Sequence, residues 1–259
     1  MEAALLGAFM VSACLCGVVL EHPCSGLRRR IGRAFIRRLL AGLAMGVTAI
    51  LLIYSPWGAR SGAHMNPATT LAFWSRGKIA APDALFYVLS QFVGGALGVA
   101  LCRILLRERL RHPFVDHVVT VPGQRGAAAA WTAELLIAFV MMLTVLYASN
   151  DPFLTPYTGF LAAGLLVIYI ALEAPLSGMS LNPARSFGSA VVARRWTAFW
   201  VYLTAPVIGM LLASAVPDHS TVYCAKLNHC NQQRCIFRCE FDRLAAIRDD
   251  RPAANVARR

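Results

Sequence analysis

Charge is scarce in this chain. Only 15% of its 259 residues are Asp, Glu, Lys or Arg, where a soluble domain carries about 25%. Acidic side chains are fewest, 13 Asp and Glu against 25 Lys and Arg. The charges are clustered and leave long uncharged runs, which excludes an ordinary water-soluble globule. With 58% hydrophobic residues and a mean hydropathy of +0.56, the chain reads as a polytopic membrane protein. The formal net charge of +12 does not point to nucleic acid, because most basic residues lie beside apolar spans, where lipid headgroups are the natural partner. No basic n-region precedes the first apolar run, so cleavage of a signal peptide near Val11-Ser-Ala-Cys14 is not expected. A catalytic constellation is also missing. Glu2 and Glu134 each head an apolar helix without a catalytic partner, so capping or buried hydrogen bonding is their expected role.

What is present is a repeated order of apolar runs. Residues 3–20, 39–59 and 84–102 are uncharged runs of 18, 21 and 19 residues, each long enough for a span. A polar connection with Arg107, Glu108, Arg109, Arg111 and Asp116 follows. The pattern then restarts: Trp131-Thr-Ala-Glu-Leu-Leu-Ile-Ala-Phe echoes Met1-Glu-Ala-Ala-Leu-Leu-Gly-Ala-Phe. Residues 152–172 and 196–216 supply the fifth and sixth spans. Two further runs, 65–75 and 181–193, have 11 and 13 residues. At about 1.5 Å per residue neither crosses a core of about 30 Å. Each opens on Asn-Pro-Ala, at 66–68 and 182–184. Asn suits an N-cap, accepting from free N–H groups of the first turn, and Pro suits the next position, where its missing N–H costs nothing. The order is therefore span, span, half-helix, span, twice over. Three spans per repeat is odd, so the second repeat enters the membrane from the opposite side and the half-helices meet near the midplane. The expected fold is an all-α membrane protein, six transmembrane helices plus two re-entrant half-helices in an inverted repeat. Gly42 with Gly46, Gly94 with Gly98, and Ala205 with Gly209 are spaced for close helix approach in lipid.

The pair Ser-Gly-Ala-His-Met-Asn-Pro-Ala at 61–68 and Asn-Pro-Ala-Arg-Ser-Phe-Gly-Ser-Ala at 182–190 resembles the aquaporin (major intrinsic protein) family, over roughly residues 1–216. The resemblance implies a channel domain over 1–216, with repeats of roughly 1–106 and 128–216, and leaves 217–259 as a separate basic tail. It gives Asn66, Asn182 and Arg185 the pore roles, sets His64 near the cytoplasmic mouth, and makes Pro67, Ala68, Pro183 and Ala184 part of the half-helix caps. The physics agrees. Two half-helix N-termini at the midplane make a positive region, and Arg185, one turn from Asn182, can face the same lumen. Facing lipid, an Arg would cost about 2.5–3.5 kcal/mol on insertion scales.

The family's constriction falls on less usual residues here. The fifth-span position, His in water-specific members, is Ile170. The second-span position, usually Phe, is Gly46, or Met45 if the first loop carries a one-residue insertion. Met179 supplies the remaining wall beside Arg185. Ser186, Ala190 and Phe199-Trp200 resemble the water-channel set, so the two indicators conflict.

The expectation is a passive channel, not an enzyme, conducting water and small uncharged solutes while excluding ions and protons. By resemblance it is a homotetramer in the lipid bilayer of a bacterial inner (plasma) membrane, with cytoplasmic termini and no nucleic-acid partner. A glycerol or metalloid facilitator with incidental water flux is one alternative; a structural or sensing membrane protein that uses its tail is another. Short-loop charges speak against cytoplasmic termini, since Arg28, Arg29, Arg30, Arg33, Arg37 and Arg38 would face out. The loop around Asn66 would hold only Arg60, Arg76 and Lys78. The eight Lys and Arg after Val216 speak for them. The channel itself calls for no cofactor. The tail gathers Cys224, His229, Cys230, Cys235 and Cys239, candidate ligands for zinc or another soft metal, although the paired C-x-x-C of strong zinc signatures is missing. Free or packing cysteines are the other reading of the tail. Cys14, Cys16 and Cys102 read as core residues.

Overall fold

In the computed structural model the described residues are 1–216, 222–229 and 235–242; Cys230 lies outside them. The first repeat holds α1 (Glu2–Glu21), the short α2 (Gly26–Arg30), α3 (Ala34–Ile53), α4 (Pro56–Ser61), the half-helix α5 (Pro67–Ser75) and α6 (Ala81–Leu106). The connecting turn α7 (Glu108–Arg111) leads to the second repeat. That repeat holds α8 (Gly126–Ser149), α9 (Thr158–Leu172), α10 (Ala174–Ser177), the half-helix α11 (Pro183–Ala193) and α12 (Phe199–Ala215). Five stretches, Glu2–Glu21, Ala34–Ile53, Ala81–Leu106, Gly126–Ser149 and Thr155–Leu172, are long and apolar enough to cross a membrane. The sixth span, α12, has 17 residues, at the short end of the spanning range.

The span boundaries differ from the uncharged runs for local reasons. α3 starts at Ala34 and carries Arg37 and Arg38 within it, because both guanidinium groups find partners at the rim. Arg37 pairs with Glu21 at 3.1 Å and Arg38 donates to the Ala171 carbonyl. With Arg28 stacked over the Phe114 ring, three of the first loop's arginines are bound within the fold. The run 39–59 is two helices, since Ser55 caps a new one by accepting from Gly58 N–H with Pro56 at its first turn. The expected fifth span, 152–172, becomes regular α-helix only from Thr158, after a 3-10 turn over Thr155–Tyr157. Asp151 Oδ1 there accepts from Phe153 and Leu154 N–H.

The packing is two-fold. α1 packs on α6 as α8 packs on α12, α11 on α6 as α5 on α12, and α1 on α3 as α8 on α9, while the α3–α9 contact maps onto itself. The same symmetry governs the tightest approaches. A Cβ at Gly94 of α6 would overlap the Ala3 carbonyl oxygen, and one at Gly209 of α12 would overlap that of Leu135. Ala3 follows Glu2 and Leu135 follows Glu134, so these are equivalent places in the two repeats. Phe86, Leu97 and Ile104 of α6 remain exposed, the arrangement expected of a face that lipid covers.

Candidate functional site

Both Asn-Pro-Ala motifs open their helices as caps. Asn66 Oδ1 accepts from Ala68 N–H at 2.9 Å, and Asn182 Oδ1 accepts from Ala184 and Arg185 N–H at 3.0 and 3.2 Å. Each amide nitrogen then reaches across the pseudo-axis. Asn66 Nδ2 donates to the Leu181 carbonyl at 2.8 Å, and Asn182 Nδ2 to the Met65 carbonyl at 2.7 Å. An amide nitrogen has two protons, so one fixes the rotamer and one is left for the lumen. The two half-helix tips are thereby latched together, head to head.

The loops that deliver them are strained in the same pattern. Ala63 and Met65 before the first motif, and Met179 and Leu181 before the second, all have φ between 50° and 59°, a region unfavourable for residues with a Cβ. Buried carboxylates hold that backbone. Glu2 accepts from Ser61 Oγ and from the N–H groups of His64 and Met65. Glu134 accepts from Ser177 Oγ and from the N–H groups of Ser180 and Leu181. The glutamates are therefore shelves for the two loops, in keeping with the buried hydrogen-bonding role expected of them.

Two cavities lie along the axis between the repeats. The inner one, about 120 Å³, is lined by His64, Asn66, Asn182 and Arg185 together with Met141 and Val145. The outer one, about 280 Å³, is lined by Met45, Ile170, Met179 and Arg185, with Arg38 and Cys16 nearer its mouth. Phe9, Leu166, Ser180 and Arg185 border both. Arg185 thus stands at the junction, and among the described residues none accepts a hydrogen bond from its Nη1. That nitrogen is itself buried, while Arg185 as a whole lines both cavities.

Three of the four expected constriction residues, Ile170, Met179 and Arg185, meet in the outer cavity. Beside them Met45, and not Gly46, lines that cavity. Gly46 is buried against α9, where an added Cβ would lie 3.1 Å from Val167 and 3.3 Å from the Ala163 carbonyl. It serves helix packing, as its spacing from Gly42 suggests. Residue-type patterns alone did not single out Phe9 and Met141. The repeat register could have: each lies seven residues, two turns, after its repeat's glutamate, and so on the same helix face. Of the cysteines expected in the core, Cys14 and Cys102 are buried and Cys16 lines the outer cavity.

The tail docks on the inner mouth. His64 donates from Nε2 to the Ala225 carbonyl at 2.7 Å, and its ring lies between Phe73 and Phe237, stacked on both. Leu227 lines the inner cavity and its N–H donates to the Gly62 carbonyl. Beside this contact the Sγ atoms of Cys224, Cys235 and Cys239 and a ring nitrogen of His229 all lie within 4.8 Å of one another. Hydrogen bonds to Cys224 and His229 outweigh burial and draw the Cys235 thiol down to about 4, the Cys224 bond having the larger effect.

A family profile described as "Major intrinsic protein" matches residues 3–216. Aquaporin-4 of Mus musculus is 31% identical over 189 residues, 72% of this chain and 57% of that protein. Aquaporin NIP1-1 of Arabidopsis thaliana is 33% identical over 184 residues, 68% of this chain and 61% of that protein. The chain thus spans about three fifths of the length of these curated relatives. The X-ray structure of the aquaglyceroporin from Plasmodium falciparum superposes with a TM-score of 0.67 at 18% identity, covering 82% of this chain and 91% of that one. At that identity the likeness speaks for the fold.

Proposed function

Because the chain belongs to the major intrinsic protein family, we propose that it forms a passive channel for water and small uncharged solutes across the membrane in which it is integral. The observation that carries this reading is the line of donors along the axis: the Asn66 and Asn182 amides at the latched half-helix tips, then Arg185 between the two cavities. A molecule that can accept hydrogen bonds exchanges partners along this line. A cation meets two helix N-termini and a guanidinium while losing its hydration shell, a loss worth tens of kcal/mol in a low-dielectric site. Pore width, wall donors and an electrostatic barrier are the general determinants of selectivity in aquaporin-type pores. Catalysis has no place in this reading, and transport calls on no cofactor. Zinc or another soft metal suits the tail cluster alone.

Both termini are proposed to lie in the cytoplasm, which the basic tail supports, and the assembly to be a homotetramer. The bacterial inner membrane expected from the sequence finds no support in relatives from Mus musculus and Arabidopsis thaliana, so the proposal stops at a plasma membrane.

A broader solute range follows from the outer cavity, where Arg185 faces the apolar walls of Met45, Ile170 and Met179. A polyol can set hydroxyls toward the guanidinium and carbons toward those walls, so glycerol or a similar neutral solute is expected to permeate alongside water. Stopped-flow swelling of vesicles at matched protein content tests this. The double change Met45→Phe with Ile170→His should suppress glycerol flux far more than water flux. Wild-type protein that passes water but excludes glycerol, urea and methylamine alike would sink the broad-filter reading.

A further inference from the structure

The tail cluster approaches the dimensions of a tetrahedral metal site, its four ligand atoms lying within 4.8 Å of one another. With Zn–S near 2.3 Å and Zn–N near 2.0–2.1 Å, tetrahedral ligands sit about 3.5–3.8 Å apart. Cys224 and Cys235 Sγ are 3.6 Å apart, and His229 Nε2 and Cys239 Sγ are 3.1 Å apart. The sulfurs also have backbone donors beside them. Each sulfur accepts a backbone N–H from the residue two positions on: Cys224 from Lys226, Cys235 from Phe237, Cys239 from Phe241. Such outer bonds orient ligands and stabilise negative sulfur. The His229 ring is held flat against Phe241, with centroids 3.9 Å apart.

The four ligands come from two short segments, 222–229 and 235–242, each nearly devoid of regular structure. Two Asn150-anchored hydrogen bonds, to Tyr223 and Cys224 N–H, fasten the first to the end of α8. The second is fastened to the loop after α5 by Lys78 with Glu240 at 3.0 Å and by Arg238 N–H to the Lys78 carbonyl. The first segment enters the channel mouth, with Ala225 on His64 and Leu227 on the inner cavity. Ordering such segments costs conformational entropy, and an ion that joins them offsets it.

We propose that the tail is a metal-dependent plug: a soft divalent cation of the zinc type, held by Cys224, His229, Cys235 and Cys239, joins the two segments and keeps Ala225 and Leu227 seated in the inner mouth. Loading the ion closes the passage; removing it frees 222–229 to leave. The plug rests on the channel reading above, because it has nothing to close otherwise.

The test uses the full chain, purified under reducing conditions and reconstituted into vesicles with zinc or a chelator on both faces. Metal content is read by mass spectrometry and water permeability by stopped-flow light scattering. The plug predicts one zinc per chain, slow water flow with zinc and a severalfold rise on chelation. The variant Cys235→Ser with Cys239→Ser should take up little zinc and stay permeable in both buffers, which separates this site from zinc acting elsewhere. The chelation arm needs no substitution, so it stands even if that variant misfolds. Wild-type protein that binds no zinc overturns the site. Bound zinc with the same permeability before and after chelation overturns the plug and leaves the site. Chelated wild type and variant both no more permeable than protein-free vesicles overturn the channel reading, and the plug with it.

Discussion

Arg185 is held by its place in a helix, and among the described residues no acid forms an ion pair with it. Its backbone N–H caps onto Asn182, and its Nη1 has no acceptor among the described residues. A charge so placed acts on the lumen, and Arg185→Val should therefore raise proton or cation conductance while leaving water flow in place. Conductance that stays at background in vesicles of that variant would remove Arg185 from the barrier and leave it to the half-helix tips. The capping by Asn66 and Asn182, with Arg185 one turn on, was legible in the sequence, because cap chemistry and helical spacing are local. Met45 against Gly46 was not. Adjacent residues on a helix point about 100° apart, so a one-residue ambiguity in a loop decides which of them faces the lumen. In the fold, α3 packs on α9 at Gly46 and Met45 lines the outer cavity.

At the scale of elements, the pairing of α1 with α6 and of α8 with α12 rests on backbone contact. Gly94→Val places a side chain where the Ala3 carbonyl sits, so α1 and α6 must part. Overpacking commonly costs about 1–3 kcal/mol and occasionally more, and a clash with backbone, which cannot rotate away, belongs at the upper end. The same cost is expected of Gly209→Val at the equivalent place against Leu135. Thermal unfolding in detergent should show a clear loss of stability for each variant; a melting temperature equal to wild type would mean that these helices do not depend on the close approach. The existence and order of the six spans and two half-helices could be read from the uncharged runs. Their ends could not, because an Arg with a partner, as at 37 and 38, sits within a helix, and a capped Ser-Pro, as at 55–56, divides an uncharged run.

For the molecule as a whole, the inverted repeat explains why equivalent residues do equivalent work. Glu2 and Glu134 shelve the loops, Ala63 with Met65 and Met179 with Leu181 turn them, and the two asparagines latch them across the axis. The tail breaks this symmetry. Much of its docking was invisible in the sequence, since many of its contacts are main-chain carbonyls and N–H groups meeting His64, Gly62 and Asn150, and such contacts leave no pattern of residue types. The proposed channel requires the axis of the repeat to be a continuous path for water. Its most direct test is the temperature dependence of osmotic water flow in vesicles holding the purified chain with the tail free of metal. A pore predicts flow well above that of protein-free vesicles, with a weak temperature dependence near that of diffusion in bulk water. Flow no faster than through lipid alone, with lipid's steep temperature dependence, would contradict it.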